Sequence, residues 1–161
     1  MSPLAKKVED LLNEPTDGWT VNIDTPEAKQ YIKKEDGNFV TKLFGTLPGD
    51  VDPEQILRFA CDFYAKQEID PKINEIVELE EGMGYQVIYY NRKAGVPLVA
   101  DRDAIVKIEC DYLYPDGGFT VSITSIEHPK DPKHKKRVRQ VVEQFWQLRP
   151  LPGDKGFEMR L

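Results

Sequence analysis

Residues 97–109 read PLVADRDAIVKIE, residues 117–129 read GGFTVSITSIEHP, and residues 135–153 read KKRVRQVVEQFWQLRPLPG. The first block alternates cleanly: Ala104, Val106, Ile108, Cys110 and Tyr112 fall on one side of an extended chain, Lys107, Glu109 and Asp111 on the other. Such a strand belongs to an antiparallel sheet with one wet face. The second block predicts a neighbouring strand over 119–126, with Val121 and Ile123 on the face of Phe119. Asp116, Gly117 and Gly118 supply turn chemistry between the two strands. The third block is ambiguous by pattern. Val138, Val141, Val142, Phe145 and Leu148 recur at helical spacing, yet β-branched and aromatic residues suit a strand equally well.

Upstream, 74–81 and 85–92 read as two more strands of the same block. The clearest helix covers 52–64: Asp52 can cap it, Pro53 fits its first position, and Ile56, Phe59, Ala60 and Phe63 share a side. Before it, 19–24, 29–34 and 38–46 read as short strands, with a hairpin turn at Glu35, Asp36, Gly37 and Asn38. Residues 2–13 read as a helix, with Pro3 in the first turn and Leu4, Val8, Leu11 and Leu12 on one stripe.

A length of 161 residues suits one domain over 1–161, with a helix inside 1–14 and a core over 19–161. The net charge of −6 opposes general nucleic-acid binding, which needs a basic surface. One basic run stands out: Lys130, Lys133, Lys135, Lys136, Arg137 and Arg139 against a single acid, Asp131. It reads as a solvated loop or, more sharply, as a membrane contact through Lys133, Lys135, Lys136 and Arg137. No apolar run is long enough to span a bilayer, and the N-terminus MSPLAKKVEDLL has no apolar signal core, so a cytoplasmic location is expected. Cys61 and Cys110 lack metal-type spacing and read as buried thiols rather than a disulfide or a nucleophile. His128 and His134 have no acidic or cysteine cluster around them, so no metal site is expected. No nucleophile elbow, phosphate loop or zinc pair is present, and the adjacent acids Glu80 and Glu81 read as solvated turn charges. Neither catalysis nor a cofactor is expected.

The order of an Arg-Asp step at 102–103, two strands, a Ser-x-Glu-His-Pro turn at 125–129, a Val-Arg step at 138–139 and Trp146 before Arg149-Pro150-Leu151 resembles the START family of lipid-transfer domains. The likeness runs from about Trp19 to Leu161. It implies an α+β helix-grip fold (START/Bet v 1-like), a curved antiparallel sheet with helices enclosing a hydrophobic cavity for one lipid. It also decides for a strand over 137–148. The chain has Ile69-Asp70 where the family often has Trp-Asp, and Ile108 where some members carry Arg. The pattern stops at 156–161, inside the last strand, so the family's C-terminal lid helix is expected to be missing from this chain. An open groove would then be covered by a partner chain or a second copy, or the sheet would be collapsed.

The resemblance, with the alternation, assigns the cavity lining. Ala104, Val106, Ile108 and Cys110 lie on one strand, Val121 and Ile123 on the next. Tyr90 and Arg92 point inward from the preceding strand, and Val141, Glu143 and Phe145 from the later one. A buried Arg92 paired with Glu143 would anchor a headgroup, unless a one-residue slip turns both to the wet face. Arg102 and Asp103 are expected to set the strand's start through an ion pair or turn hydrogen bonds. The implied activity is non-enzymatic binding and intermembrane transfer of one phospholipid, sterol, ceramide or fatty acid. The competing reading is a protein-interaction or lipid-sensing module of the same fold.

Overall fold

The computed structural model of the chain describes residues 2–112, 118–153 and 155–161. In chain order these form α1 (Pro3–Asn13), β1 (Thr20–Asp24), β2 (Ala28–Glu35), β3 (Asn38–Leu47), α2 (Pro53–Cys61), α3 (Phe63–Ile69), β4 (Ile73–Gly82), β5 (Tyr85–Arg92), β6 (Arg102–Tyr112), β7 (Phe119–Ser125), β8 (Val138–Arg139), β9 (Glu143–Pro150) and β10 (Phe157–Arg160). This is an α+β architecture. The predicted turn residues Asp116 and Gly117 lie outside the described residues. The chain gathers into two compact units from interleaved segments: 1–54, 111–120 and 145–161 in the first, 55–110 and 121–144 in the second.

In the first unit, α1 starts where the sequence places it. The Ser2 hydroxyl accepts from the Ala5 N–H at 3.1 Å, Pro3 takes the first helical position, and Ala5, Val8 and Leu12 form the buried stripe. Its C-terminus is capped from the sheet. The Lys42 ammonium, on β3, donates to the Leu11 carbonyl at 2.7 Å and the Glu14 carbonyl at 3.0 Å, adding a cation to a helix end where Leu11 also accepts from the Glu14 N–H at 3.4 Å. Burial holds the Lys42 pKa below its ordinary value, with Glu14 opposing. The antiparallel ladder runs β1, β2, β3, β10, β9. Asp36 and Gly37, both at positive φ, close the β2–β3 turn with the left-handed geometry that matches strand twist. Register sorts the two faces of this ladder. Tyr31, Lys42, Phe44 and Arg160 share the side that carries α1, and Leu43, Leu47, Leu148, Phe157 and Met159 share the other.

In the second unit, β4, β5 and β6 pair antiparallel, and β8 runs parallel to the start of β6. One face carries Leu79, Val87, Tyr89 and Ile105, packed with Tyr85 and Ile126. This corrects the expectation of a wet face along β6. The segment after β7 folds back over it: Lys130 donates to the Leu79 carbonyl at 2.9 Å, and Arg137 reaches Glu75 at 2.7 Å and the Tyr89 hydroxyl. Alternation within one strand carries no information about a distant segment that covers the polar side.

Two local readings also change. The predicted helix over 52–64 is two helices. Asp62 takes an extended conformation, and its carboxylate accepts from the Tyr64 and Ala65 N–H groups, so it caps α3 instead of continuing α2. The predicted strand over 137–148 is split into β8 and β9, and the three irregular residues between them leave Val141 84% exposed.

Candidate functional site

The apolar face on which the sequence reading centred lies in the second unit. Register places Ile88, Tyr90, Ala104, Val106 and Ile108 on one side of β5 and β6, opposite the Tyr89 face. All five are buried, Tyr90 at 8% exposure being the most accessible. Val121 and Ile123 on β7 are fully buried as well. The roof over Tyr90 is the α2–α3 pair. The Phe63 ring packs on the Tyr90 ring at 4.8 Å between centroids, and the Cys61 thiol contacts the Cys110 thiol.

Three polar groups stand at this roof. Burial raises the Tyr90 phenol pKa above its ordinary value, with Arg92 opposing. The Lys66 ammonium donates to the Ala60 carbonyl at 2.9 Å and sits 4.3 Å over the Phe63 ring. Burial pushes its pKa down to about 8, against the pull of Cys61 and Asp62. The Cys61 thiol is held below its ordinary value, chiefly by its contact with Cys110. Such perturbed groups against an apolar surface mark a candidate binding region. The sequence reading missed Ile88, Phe63 and Lys66. Ile88 was within its reach, since it alternates with Tyr90. Phe63 and Lys66 were not, because they reach the face only through the break at Asp62.

The proposed anchor is not assembled. Arg92 is exposed and its guanidinium bonds Asp70 at 2.9 Å, while Glu143 is exposed at the start of β9. Val141 lies between strands in solvent. Phe145, half-buried, has the Lys7 ammonium 5.4 Å over its ring and the parity of Gln147, which pairs with Arg160 on the α1 side. Residues 140–142 belong to neither β8 nor β9, so an alternation counted from Arg139 does not carry into β9.

Arg102 and Asp103 are the first two residues of β6, and each bonds elsewhere rather than to the other. Asp103 is buried and its carboxylate accepts from Arg139 Nε at 2.8 Å and from the Tyr89 hydroxyl at 3.3 Å. Arg102 donates to the Ala100 carbonyl. Arg139 bonds Asp131 as well, at 2.8 Å. The basic run therefore divides. Lys130, Arg137 and Arg139 hold the segment onto the sheet, so Arg137 is a structural cation, half-buried against Glu75. Lys133, Lys135 and Lys136 are exposed.

A second exposed feature adjoins them. Between β5 and β6, Val96, Leu98 and Val99 stand in solvent, Leu98 completely and with a positive φ of 67°. The loop is fastened at its base: Ala94 N–H donates to the Asp101 carboxylate at 3.1 Å, and Lys93 N–H to the Lys72 carbonyl at 2.8 Å. Val138 N–H donates to the Asp101 carbonyl at 2.9 Å, which sets the basic segment beside it. Lys72 and Lys93 are exposed at the same end of the ladder. Among the described residues no group of His, Cys, Asp and Glu could hold a metal ion, and no helix is long and apolar enough to cross a membrane.

No family model matches the chain, and no curated protein matches it. Solved structures do. The crystal structure of human STARD10 matches with a TM-score of 0.78 at 17% identity, over 99% of this chain and 66% of that one. Human StAR-related lipid transfer protein 5 matches at 0.72 and 16% identity, over 98% of this chain and 76% of that one. A STAR-related lipid transfer protein from Xanthomonas axonopodis matches at 0.69 and 21%, over 90% and 80%. This chain has the START helix-grip fold.

Proposed function

We propose that this START-fold chain is a non-enzymatic, cytoplasmic lipid carrier that takes one lipid onto the Tyr90 face and exchanges it with membranes. The observation that carries this reading is the buried row Ile88, Tyr90, Ala104, Val106 and Ile108 beneath a roof of two short helices in that fold. A lipid tail in place of packed side chains gains about 0.8 kcal/mol per buried CH₂. Lys66 and the Tyr90 hydroxyl stand where a polar headgroup would need donors. Cys110, Val121 and Ile123 extend the lining.

Membrane contact in this reading belongs to the 96–99 tip and the lysines beside it. An apolar tip that inserts and a cationic collar that meets anionic headgroups act together, each exposed lysine near the surface adding about 1 kcal/mol. Lys72, Lys93, Lys133, Lys135 and Lys136 form that collar. The nearby acids are engaged, Asp70 by Arg92 and Asp101 by the Ala94 N–H.

Lipid extraction and mass spectrometry of the purified protein, followed by uptake of fluorescent lipids from vesicles, test the carrier. A stoichiometric lipid, displaced when Ala104→Leu fills the face, supports it. An empty protein that takes up nothing overturns it and puts the interaction module in its place.

A further inference from the structure

Cys61 is the last residue of α2 and Cys110 lies two residues before the end of β6. Their side chains are in hydrogen-bonding contact, both are half-buried, and no disulfide joins them. The Lys66 ammonium acts on Cys61 in favour of the thiolate, Asp62 against it. A thiol lowered by its neighbours and still open to solvent is the kind that oxidants reach first.

We infer that Cys61 and Cys110 are a reversible oxidation site, a dithiol latch that peroxide-class oxidants close into a disulfide. The Cys61 thiolate attacks the peroxide O–O bond and becomes a sulfenic acid, while the leaving hydroxide takes a proton and departs as water. The Cys110 sulfur then forms the S–S bond by displacing the sulfenic hydroxyl, which leaves with the Cys110 proton as a second water. The peroxide is reduced by two electrons, the thiols are oxidised by two, and a dithiol reductant reverses the step by exchange. Closure ties the end of α2 to β6, across the edge of the roof that covers Tyr90. Its effect on lipid exchange rests on the carrier reading; the chemistry of the pair does not.

The test is brief exposure of the full chain to hydrogen peroxide, then thiol blocking and peptide mass mapping. The expected product is one peptide pair joined through Cys61 and Cys110, lighter by two hydrogens and restored by dithiothreitol. Cys61→Ser and Cys110→Ser each abolish the joined pair, and Lys66→Gln slows its formation by about 3- to 10-fold through a smaller thiolate fraction. Sulfinic or sulfonic acid at either position without the joined pair, or linkage only between molecules, overturns the latch. Vesicle-to-protein lipid transfer is then compared for the reduced and joined forms. Several-fold slower transfer by the joined form is the expected result, and equal rates would remove the roof from the mechanism while the mapped disulfide stands. No transfer by either form would count against the carrier reading alone.

Discussion

Two charges, one buried and one half-buried, show what single side chains decide here. Asp103 has 3% of its side chain exposed and is held by Arg139, which is 39% exposed and so keeps part of its hydration. Removing a fully buried partner costs about 3–5 kcal/mol, and the exposure of Arg139 discounts that. We expect Asp103→Ala to lose about 2 kcal/mol in urea unfolding and to release the Tyr89 hydroxyl as well. Lys66 works in the opposite direction. Its folded pKa of about 8 lies below its ordinary 10.5, so the folded state binds fewer protons between those values. The penalty for its half-buried charge is full below pH 8 and fades as the pH rises toward 10.5. Lys66→Met is therefore expected to stabilise the protein by about 1–2 kcal/mol at pH 7 and by nothing measurable near pH 10.5. A variant that is no more stable at pH 7 would show that the ammonium is better solvated than its surroundings imply.

Helices and turns carry the next set of consequences. The break between α2 and α3 depends on one carboxylate, and a lost N-cap costs about 1 kcal/mol. Asp62→Ala should lower stability by that amount and loosen the Phe63–Tyr90 contact, visible as faster amide exchange in 63–69. At the β9–β10 turn the demand is harder. Gly156 has a φ of +97°, and a Cβ there would stand 2.0 Å from the Leu47 carbonyl oxygen and 2.9 Å from the Pro48 carbonyl carbon. Both are backbone atoms, so the clash cannot be relieved by a rotamer. Gly156→Ala should cost about 3 kcal/mol or more, with loss of the β3–β10 register by NMR. Gly37→Ala, also at positive φ but with open space around it, should cost only about 1 kcal/mol. These elements were legible in unequal measure. The hairpin at 35–38 is a local signal and appears as read, whereas the alternation of 104–112 names an apolar row without a wet face behind it, Ile105 being buried on the other side and Tyr112 exposed. The split at Asp62 and the phase of β9 are not local signals, because a cap and an irregular residue each look like ordinary members of a periodic run.

At the scale of the whole molecule, the exposed 96–99 tip and its lysines give the carrier reading a prediction of its own. Burying one leucine is worth about 1.5–3 kcal/mol. Leu98→Asp should therefore weaken sedimentation with vesicles at least about tenfold, on zwitterionic and anionic lipid alike. Exchanging Lys133, Lys135 and Lys136 for alanine should weaken binding to anionic vesicles only, and added salt should erase that difference. Equal binding by all variants would detach this end of the molecule from the membrane. The sequence by itself determined the element order, the START likeness, the apolar row Ala104, Val106 and Ile108, and the basic excess of the 130–139 run, since each is a matter of local spacing. Tertiary structure alone decided which cations are structural, that Asp103 pairs with Arg139, that Asp70 takes Arg92, and that Cys61 meets Cys110. Those pairings join residues 22 to 49 positions apart in the chain. A periodic pattern names the face a side chain lies on, but only the folded backbone determines what stands across from it.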